Sequence, residues 1–264
     1  MEVKDYSNEF EKKPSVGHHL EIFPKTIRCV IAGTSGCGKT MLLTNFLREP
    51  GILDYEDFYI YCPTIHQDTY TNLKKHFDEQ EMILQVEYKK RTNKPKYNKI
   101  AHFIIPIDSK KSTKNSKEDQ DEILKEAIKY PKELDPKCNH IMVFDDVMLK
   151  DQSIIKEYFT TGRHNNVNIF YLAQSFYKIE KDCIRDNMNM LILFRQGKKT
   201  LRCIYDDIVS GDMDDINEFF EFCYNAWKKP HGFIVIIIDG DPKYGKYWDN
   251  YKHVYTPKAY LDEI

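Results

Sequence analysis

Gly33-Thr34-Ser35-Gly36-Cys37-Gly38-Lys39-Thr40 is the stretch on which the fold turns. It meets the spacing G-x-x-x-x-G-K-[ST] without a mismatch, and its surroundings are those the motif needs. Upstream, Thr26 to Ala32 (TIRCVIA) is β-branched and apolar, as a strand buried on both faces is; downstream, a helical segment runs through Leu47. The glycines allow positive φ and close approach, so successive backbone N–H groups can turn toward phosphate oxygens, and the following helix offers its positive N-terminal end to the same anion. All eight residues are therefore expected to bind nucleotide. Lys39 would reach the β- and γ-phosphates of ATP, and the Thr40 hydroxyl would ligate Mg²⁺. The competing reading is a glycine turn that contains a lysine by chance, and the strand and helix on either side argue against it.

A phosphate loop does not say whether the nucleotide is hydrolysed, transferred or used as a switch. A second segment, His140-Ile-Met-Val-Phe144-Asp145-Asp146, addresses that. It reads as a buried strand delivering a carboxylate at its C-terminal edge, where ligands of open α/β sheets sit, so Asp145 is the expected partner for Mg²⁺. Asp146 is then placed to polarise an attacking water, although hydrolytic relatives of this motif more often carry the longer Glu there. A third apolar strand, Asn168 to Ala173, ends in Gln174-Ser175. Gln174 is expected to report on the γ-phosphate or its water. A turn or cap role for Asp145, Asp146 or Gln174 is the alternative.

Two arginines are candidates for stabilising transition-state charge: Arg163 in Thr161-Gly162-Arg163-His164 and Arg185 in Ile184-Arg185-Asp186-Asn187. Neither has an evident route to the phosphates of its own chain. Each reads either as a finger donated to a neighbouring subunit, which implies a ring, or as a surface salt bridge.

The rest of the chain is consistent with one α/β domain. With 264 residues and 41% hydrophobic content it can bury one substantial core, while 30% charged residues and a formal net charge of −2 are far from the balance of a small basic nucleic-acid binder. The longest apolar runs, such as Phe233 to Ile238, are too short to span a bilayer, and the N-terminus is not signal-like. Seven scattered cysteines without a Cys-x-x-Cys pair suggest neither a disulfide framework nor a zinc site, and fit a reducing intracellular compartment. Residues 1–24 read as an arm or loosely attached cap, and 25–264 as a single domain. Further expected elements are strands at Asp57 to Cys62, His102 to Ile107, Met190 to Phe194 and Gly232 to Asp239, and helices at Thr69 to Glu79, Lys117 to Tyr130, a segment ending at Thr161, and Asp214 to Ala226. Strands alternating with helices imply a mainly parallel sheet flanked by helices. Residues 85–138 form a lysine-rich insertion. Within it, Tyr88 to Lys99 (YKKRTNKPKYNK) could follow a phosphate backbone or be a solvated loop; outside it, Arg195 to Arg202 (RQGKKTLR) could be another phosphate contact or an intersubunit edge.

The series GTSGCGKT, IMVFDDVML, TGRHNNVNIFYLAQSFYKI and IRDNMNMLILFRQ, with the tail IYDDIVSGDM and Trp227 followed by HGFIVIIID, resembles the FtsK–HerA-type DNA-packaging ATPases of double-stranded DNA viruses. It is most similar to those of Polinton/Maverick elements, adintoviruses and virophages, with the poxvirus packaging ATPase more distant. The resemblance runs from about Phe23 to Asp239. It implies a RecA-like (ASCE) fold with the P-loop strand inside the sheet, and a homo-oligomeric ring, pentamer or hexamer, that pumps double-stranded viral DNA into a preformed capsid. The partners implied are the viral genome and a capsid or portal-type protein, in the host cytoplasm or nucleus or with the virion. By the same resemblance Lys39 and Thr40 are the Walker A pair, Asp145 and Asp146 the Walker B acids, Gln174 the sensor, and Arg163 and Arg185 the arginines of the Gly-Arg-His and Ile-Arg-Asp-Asn signatures. Two other classes stay open at this point. One is a P-loop small-molecule kinase or switch, disfavoured by the absence of Asn-Lys-x-Asp, Asp-x-x-Gly and an arginine-rich lid. The other is a nucleotide-gated capsid-assembly factor.

Overall fold

The computed structural model describes residues 19–92, 100–104, 133–147 and 153–263. Its first strand, β1 (Arg28–Ala32), leads through the glycine loop into α1 (Lys39–Arg48). There follow β2 (Asp57–Tyr61), α2 (Asp68–Thr92), β3 (Ala101–Ile104), β4 (His140–Asp145), α3 (Ser153–Thr161), β5 (Val167–Ala173), β6 (Met190–Phe194) and α4 (Lys198–Ile204). After a single π-helical turn, Tyr205–Val209, come α5 (Ile216–Ala226), β7 (Phe233–Ile237), β8 (Tyr247–Asp249) and β9 (His253–Tyr255).

The strands form one sheet in the order β3-β2-β4-β5-β1-β6-β7-β8-β9. From β3 to β6 every pairing is parallel. The last three pairings, β6 with β7, β7 with β8 and β8 with β9, are antiparallel. The sheet is therefore mostly parallel, as expected, with an antiparallel extension of which only β7 was anticipated. The reason is physical: β8 and β9 are three residues each, too short to show a period.

The central strands are apolar on both sides because helices cover both faces. Cys29 and Ile31 of β1 point with Ile141, Val143 and Leu172 into a core closed by Leu43, Phe46 and Leu47 of α1 and Tyr70, Leu73 and Phe77 of α2. Val30 and Ala32 point the other way with Phe144, Tyr171 and Leu193. There Tyr158 and Phe159 of α3, Leu201 and Ile204 of α4, and Phe219, Phe222 and Ala226 of α5 complete the second core.

Two boundaries differ from expectation. Ile22 and Phe23, assigned to the N-terminal arm, are buried in the α1 core, with the Phe23 ring 5.2 Å from that of Phe46, so the domain begins before residue 25. α2 runs to Thr92 instead of ending near Glu79. The expected helix Lys117 to Tyr130 and the end of the His102 to Ile107 run lie outside the described residues, as does most of the Tyr88 to Lys99 basic stretch. No described helix is long and apolar enough to cross a membrane.

Candidate nucleotide site

The parallel register carries the C-terminal ends of β1, β4 and β5 to one edge of the sheet, and the expected site residues hang from those ends. After Ala32, Gly33 donates its N–H to the carbonyl of Ala173 on β5 (3.0 Å). A side chain at Gly33 would not fit: a Cβ there would lie 2.5 Å from Cys37 Sγ and 2.7 Å from Phe194 Cβ. Gly36 and Gly38 adopt left-handed φ of 75° and 112°, a region open to glycine at little cost. Gly38 opens α1, and no side chain caps that helix end, which leaves the first-turn N–H groups for another acceptor. The Lys39 ammonium donates to the carbonyls of Gly33 (2.7 Å) and Thr34 (3.0 Å), arching back over the loop.

Asp145 closes β4 facing this loop. Its Oδ2 accepts from the Thr40 hydroxyl (3.2 Å) and from the Tyr70 hydroxyl (2.7 Å). Asp145 is 6% exposed. Burial raises its pKa above the usual carboxylate range, opposed by the donors Tyr70 and Thr40 and by the charge of Lys39. Burial also pushes the Tyr70 phenol far upward, so its hydroxyl stays protonated and donates. Asp146, one residue on, is exposed and turns out of the strand with φ 56°, a conformation that Asp tolerates better than most side chains. Its Oδ1 accepts from the Gln174 amide (3.3 Å). Ser35, Gly36, Lys39, Thr40, Asp145, Asp146 and Gln174 line one cleft of about 130 Å³ together with Gln67 and Leu172.

The loop and the carboxylate pair thus share one cleft, and the three strand-end segments singled out in the sequence meet there. The arginines do not. Arg163 lies in a 3₁₀ turn, Gly162–Asn165, before β5, at the opposite end of the sheet from Gln174, roughly 20 Å away at about 3.3 Å per strand residue. It is exposed and forms no ion pair among the described residues. Arg185 is 14% exposed and already engaged: its Nη1 donates to Asp207 (2.7 Å) and Cys203 Sγ (3.2 Å), and the guanidinium lies 5.4 Å from the centre of the Phe176 ring. The geometry of Arg185 is that of the salt-bridge alternative. It ties the Ile-Arg-Asp-Asn segment to the Tyr205–Val209 turn.

The Arg195 to Arg202 stretch lies beside the cleft. Gln196, 8% exposed, donates toward the carbonyl of Gln174 (3.5 Å), and Lys199 Nζ sits 4.5 Å from the centre of the half-exposed Tyr177 ring. Arg195, Lys198 and Lys199 are exposed.

Sequence reading missed Tyr70, Gln67 and Gln196. Tyr70 and Gln67 sit at the start of an unremarkable polar helix, and only the pairing of β2 with β4 brings that helix against Asp145. The dipeptide Arg195-Gln196 closing an apolar strand was the one available signal, of the same kind that singled out Gln174. No cluster of three or more His, Cys, Asp or Glu that could hold a metal ion occurs among the described residues.

No protein-family model matches the chain, and no curated protein matches it. Among solved structures, the genome packaging NTPase B204 from Sulfolobus turreted icosahedral virus 2, in complex with AMP, is similar at 13% identity and a TM-score of 0.49, over 82% of this chain and 95% of that one. The same protein in complex with ATP-gammaS gives 14% identity and a TM-score of 0.48, over 82% and 94%. The cytoplasmic domain of the Thermomonospora curvata type VII secretion ATPase EccC is similar at 11% identity and a TM-score of 0.41, over 84% of this chain and 26% of that one. At such identities and scores, the reading of the site rests on this chain's own residues.

Proposed function

We propose that the chain is an ATP-hydrolysing P-loop NTPase of RecA-like (ASCE) type that drives double-stranded viral DNA into a capsid. One observation carries the hydrolase reading: Thr40, closing the glycine loop, and Asp145, closing β4, meet through a 3.2 Å hydrogen bond in a cleft that also holds Lys39, Asp146 and Gln174. β5 stands between β4, which ends at Asp145, and β1, whose loop leads to Thr40; that order suits the fold type and puts Gln174 beside the acids.

In this reading Lys39 exchanges its bonds to the Gly33 and Thr34 carbonyls for β- and γ-phosphate oxygens, and the open N–H groups of α1 take the remaining charge. Thr40 and Asp145 supply the hard oxygen donors that suit Mg²⁺, which when bound neutralises charge on the β- and γ-phosphates. Asp146 orients the attacking water and accepts hydrogen bonds from it. Gln174, bonded to Asp146, moves with that water and so couples nucleotide state to the loop after β5. Arg163, exposed and far from its own site, is the finger presented to a neighbouring subunit, which requires a ring. Tyr177, Lys198, Lys199 and Arg195 form a basic and aromatic surface next to Gln174 suited to a DNA phosphate backbone. Capsid and portal contacts follow only from the sequence resemblance.

The test is ATP hydrolysis with and without duplex DNA across a salt series, for the wild-type chain, Lys39→Ala and Asp146→Asn. Stimulation by DNA that fades as salt rises, with both variants slowed about a hundred-fold or more, is expected. Hydrolysis unchanged in either variant would sink the reading. A rate that stays negligible with DNA present would favour the nucleotide-gated assembly factor.

A further inference from the structure

The segment His231-Gly-Phe-Ile-Val-Ile-Ile-Ile-Asp239 carries part of the sequence resemblance, yet the reading above assigns it no task. Its first residue touches the phosphate loop. His231 Nδ1 lies 3.0 Å from the carbonyl oxygen of Cys37, a partner 194 residues away. Facing a carbonyl, that ring nitrogen must be the donor, which sets the tautomer with hydrogen on Nδ1. The ring also abuts Gly38: a Cβ built there would meet Nδ1 at 3.0 Å.

The chain goes to some length to hold the imidazole in place. Phe233 pairs with Phe194 in the antiparallel β6–β7 ladder, and Phe194 is the side chain packed against Gly33. The Trp227 indole N–H anchors the preceding turn on the carbonyl of Leu193 (3.1 Å), and Gly232 N–H bonds to Lys229 (3.0 Å). A Cβ on Gly232 would lie 2.0 Å from the Ala226 carbonyl oxygen, so only glycine allows the turn. His231 itself adopts φ 56°, a left-handed conformation that a side chain rarely takes without compensation.

The consequence is set by peptide geometry. In a trans peptide the carbonyl and the next N–H point in opposite directions. His231 holds the Cys37 carbonyl from the β7 side of the loop, and neither residue is among those that line the cleft formed by Ser35, Gly36, Lys39 and Thr40. The Gly38 N–H of the same peptide therefore points away from His231, at the start of α1 beside the cleft residues Lys39 and Thr40. We infer that His231 is a positioning residue of the phosphate-binding loop: it fixes the Cys37–Gly38 peptide in the orientation that binds the β-phosphate. This rests on the nucleotide reading proposed above.

Two substitutions separate the hydrogen bond from the backbone conformation. His231→Gly keeps the left-handed φ and removes the donor. His231→Asn places an amide N–H where Nδ1–H was, in a residue that also tolerates that φ. Equilibrium binding of MgATP and MgADP is measured for wild type and both variants, alongside thermal unfolding without nucleotide. His231→Gly is expected to bind both nucleotides about five-fold more weakly, the worth of one neutral hydrogen bond of about 1 kcal/mol. Its unfolding temperature without nucleotide should stay within a few degrees of wild type, because the ease of glycine at this φ offsets the lost bond, and His231→Asn should stay within about two-fold of wild-type affinity. Wild-type affinity in His231→Gly, or an equal loss in His231→Asn, would overturn the inference. A wild-type chain that binds neither nucleotide would instead show that the nucleotide reading itself is wrong.

Discussion

The hydroxyl of Tyr70 ends on the same oxygen of Asp145 that Thr40 reaches, so a helix with no phosphate-binding signature of its own orients the acid expected to hold Mg²⁺. Tyr70 is fully buried, and a buried carboxylate needs its donors because its charge is otherwise unsolvated. Tyr70→Phe removes the hydroxyl while keeping the ring. The Mg²⁺ concentration giving half-maximal ATPase is expected to rise about ten-fold, as befits a hydrogen bond to a charged group of roughly 1.5 kcal/mol. A Mg²⁺ titration at saturating ATP checks this, and an unchanged midpoint would show that Thr40 alone orients the acid. At this scale much was legible in advance. Lys39, Thr40 and Asp145 announce themselves by neighbours in sequence, whereas Tyr70 does not, because its only distinguishing contact is tertiary.

At the scale of elements, the end of the sheet opposite the cleft is knit by side-chain amides. Asn168, buried in β5, accepts from the Ile27 N–H (2.8 Å) and donates to Asn139 Oδ1 (2.9 Å). Asn189 does the same before β6, accepting from Arg28 N–H (2.8 Å) and donating to the Thr26 carbonyl (2.7 Å). These bonds hold β1 in register, and with it the loop that follows. Asn168→Ala would leave the buried Ile27 N–H without an acceptor and is expected to cost about 2 kcal/mol, read from the urea midpoint at constant m.

At the start of β4, burial of His140 acts to lower its pKa, but the hydrogen bond to Asp57 (2.6 Å), that residue's charge and the Asp135 carbonyl together raise it above the ordinary value. A histidine with a raised folded pKa contributes stability fully below its unfolded value of about 6.5 and loses it as pH rises through the folded one. Urea midpoints measured across that range should therefore fall with rising pH more in wild type than in Asp57→Asn. Parallel curves would remove the pair from the account. Strands β1, β2 and β4 to β7 were readable because continuous apolar runs between breakers mark strands covered on both faces. The three-residue strands β8 and β9 were not, since their pairing is decided by the edge that β7 leaves open.

At the scale of the whole molecule, the placement of Arg163 makes a prediction about assembly. It projects from the sheet end remote from its own cleft, so it can act on phosphates only in another copy. Subunits carrying Arg163→Ala would then keep an intact cleft but deprive a neighbour of the charge, while Lys39→Ala subunits would do the reverse. Mixing the two inactive variants is expected to recover part of the ATPase, a fraction set by how often a Lys39→Ala subunit presents its arginine to an Arg163→Ala cleft. No recovery at any mixing ratio would exclude the finger in trans. Arg185 makes no such prediction, because Asp207, Cys203 and Phe176 of its own chain already hold it.

By itself the sequence determined the glycine loop between β1 and α1, the acids at the end of β4 and the α/β character of the domain. Each of these is local: a glycine spacing that lets backbone N–H groups converge, or an apolar run ending in charge, works through residues adjacent in the chain. Only the tertiary structure decided that Tyr70 holds Asp145, that Gln174 meets Asp146, that His231 grips the loop from an antiparallel extension, and that Arg163 and Arg185 part company. Those outcomes depend on which strands pair and in what register, and register is settled by packing on both faces of the sheet, which no short stretch of sequence contains.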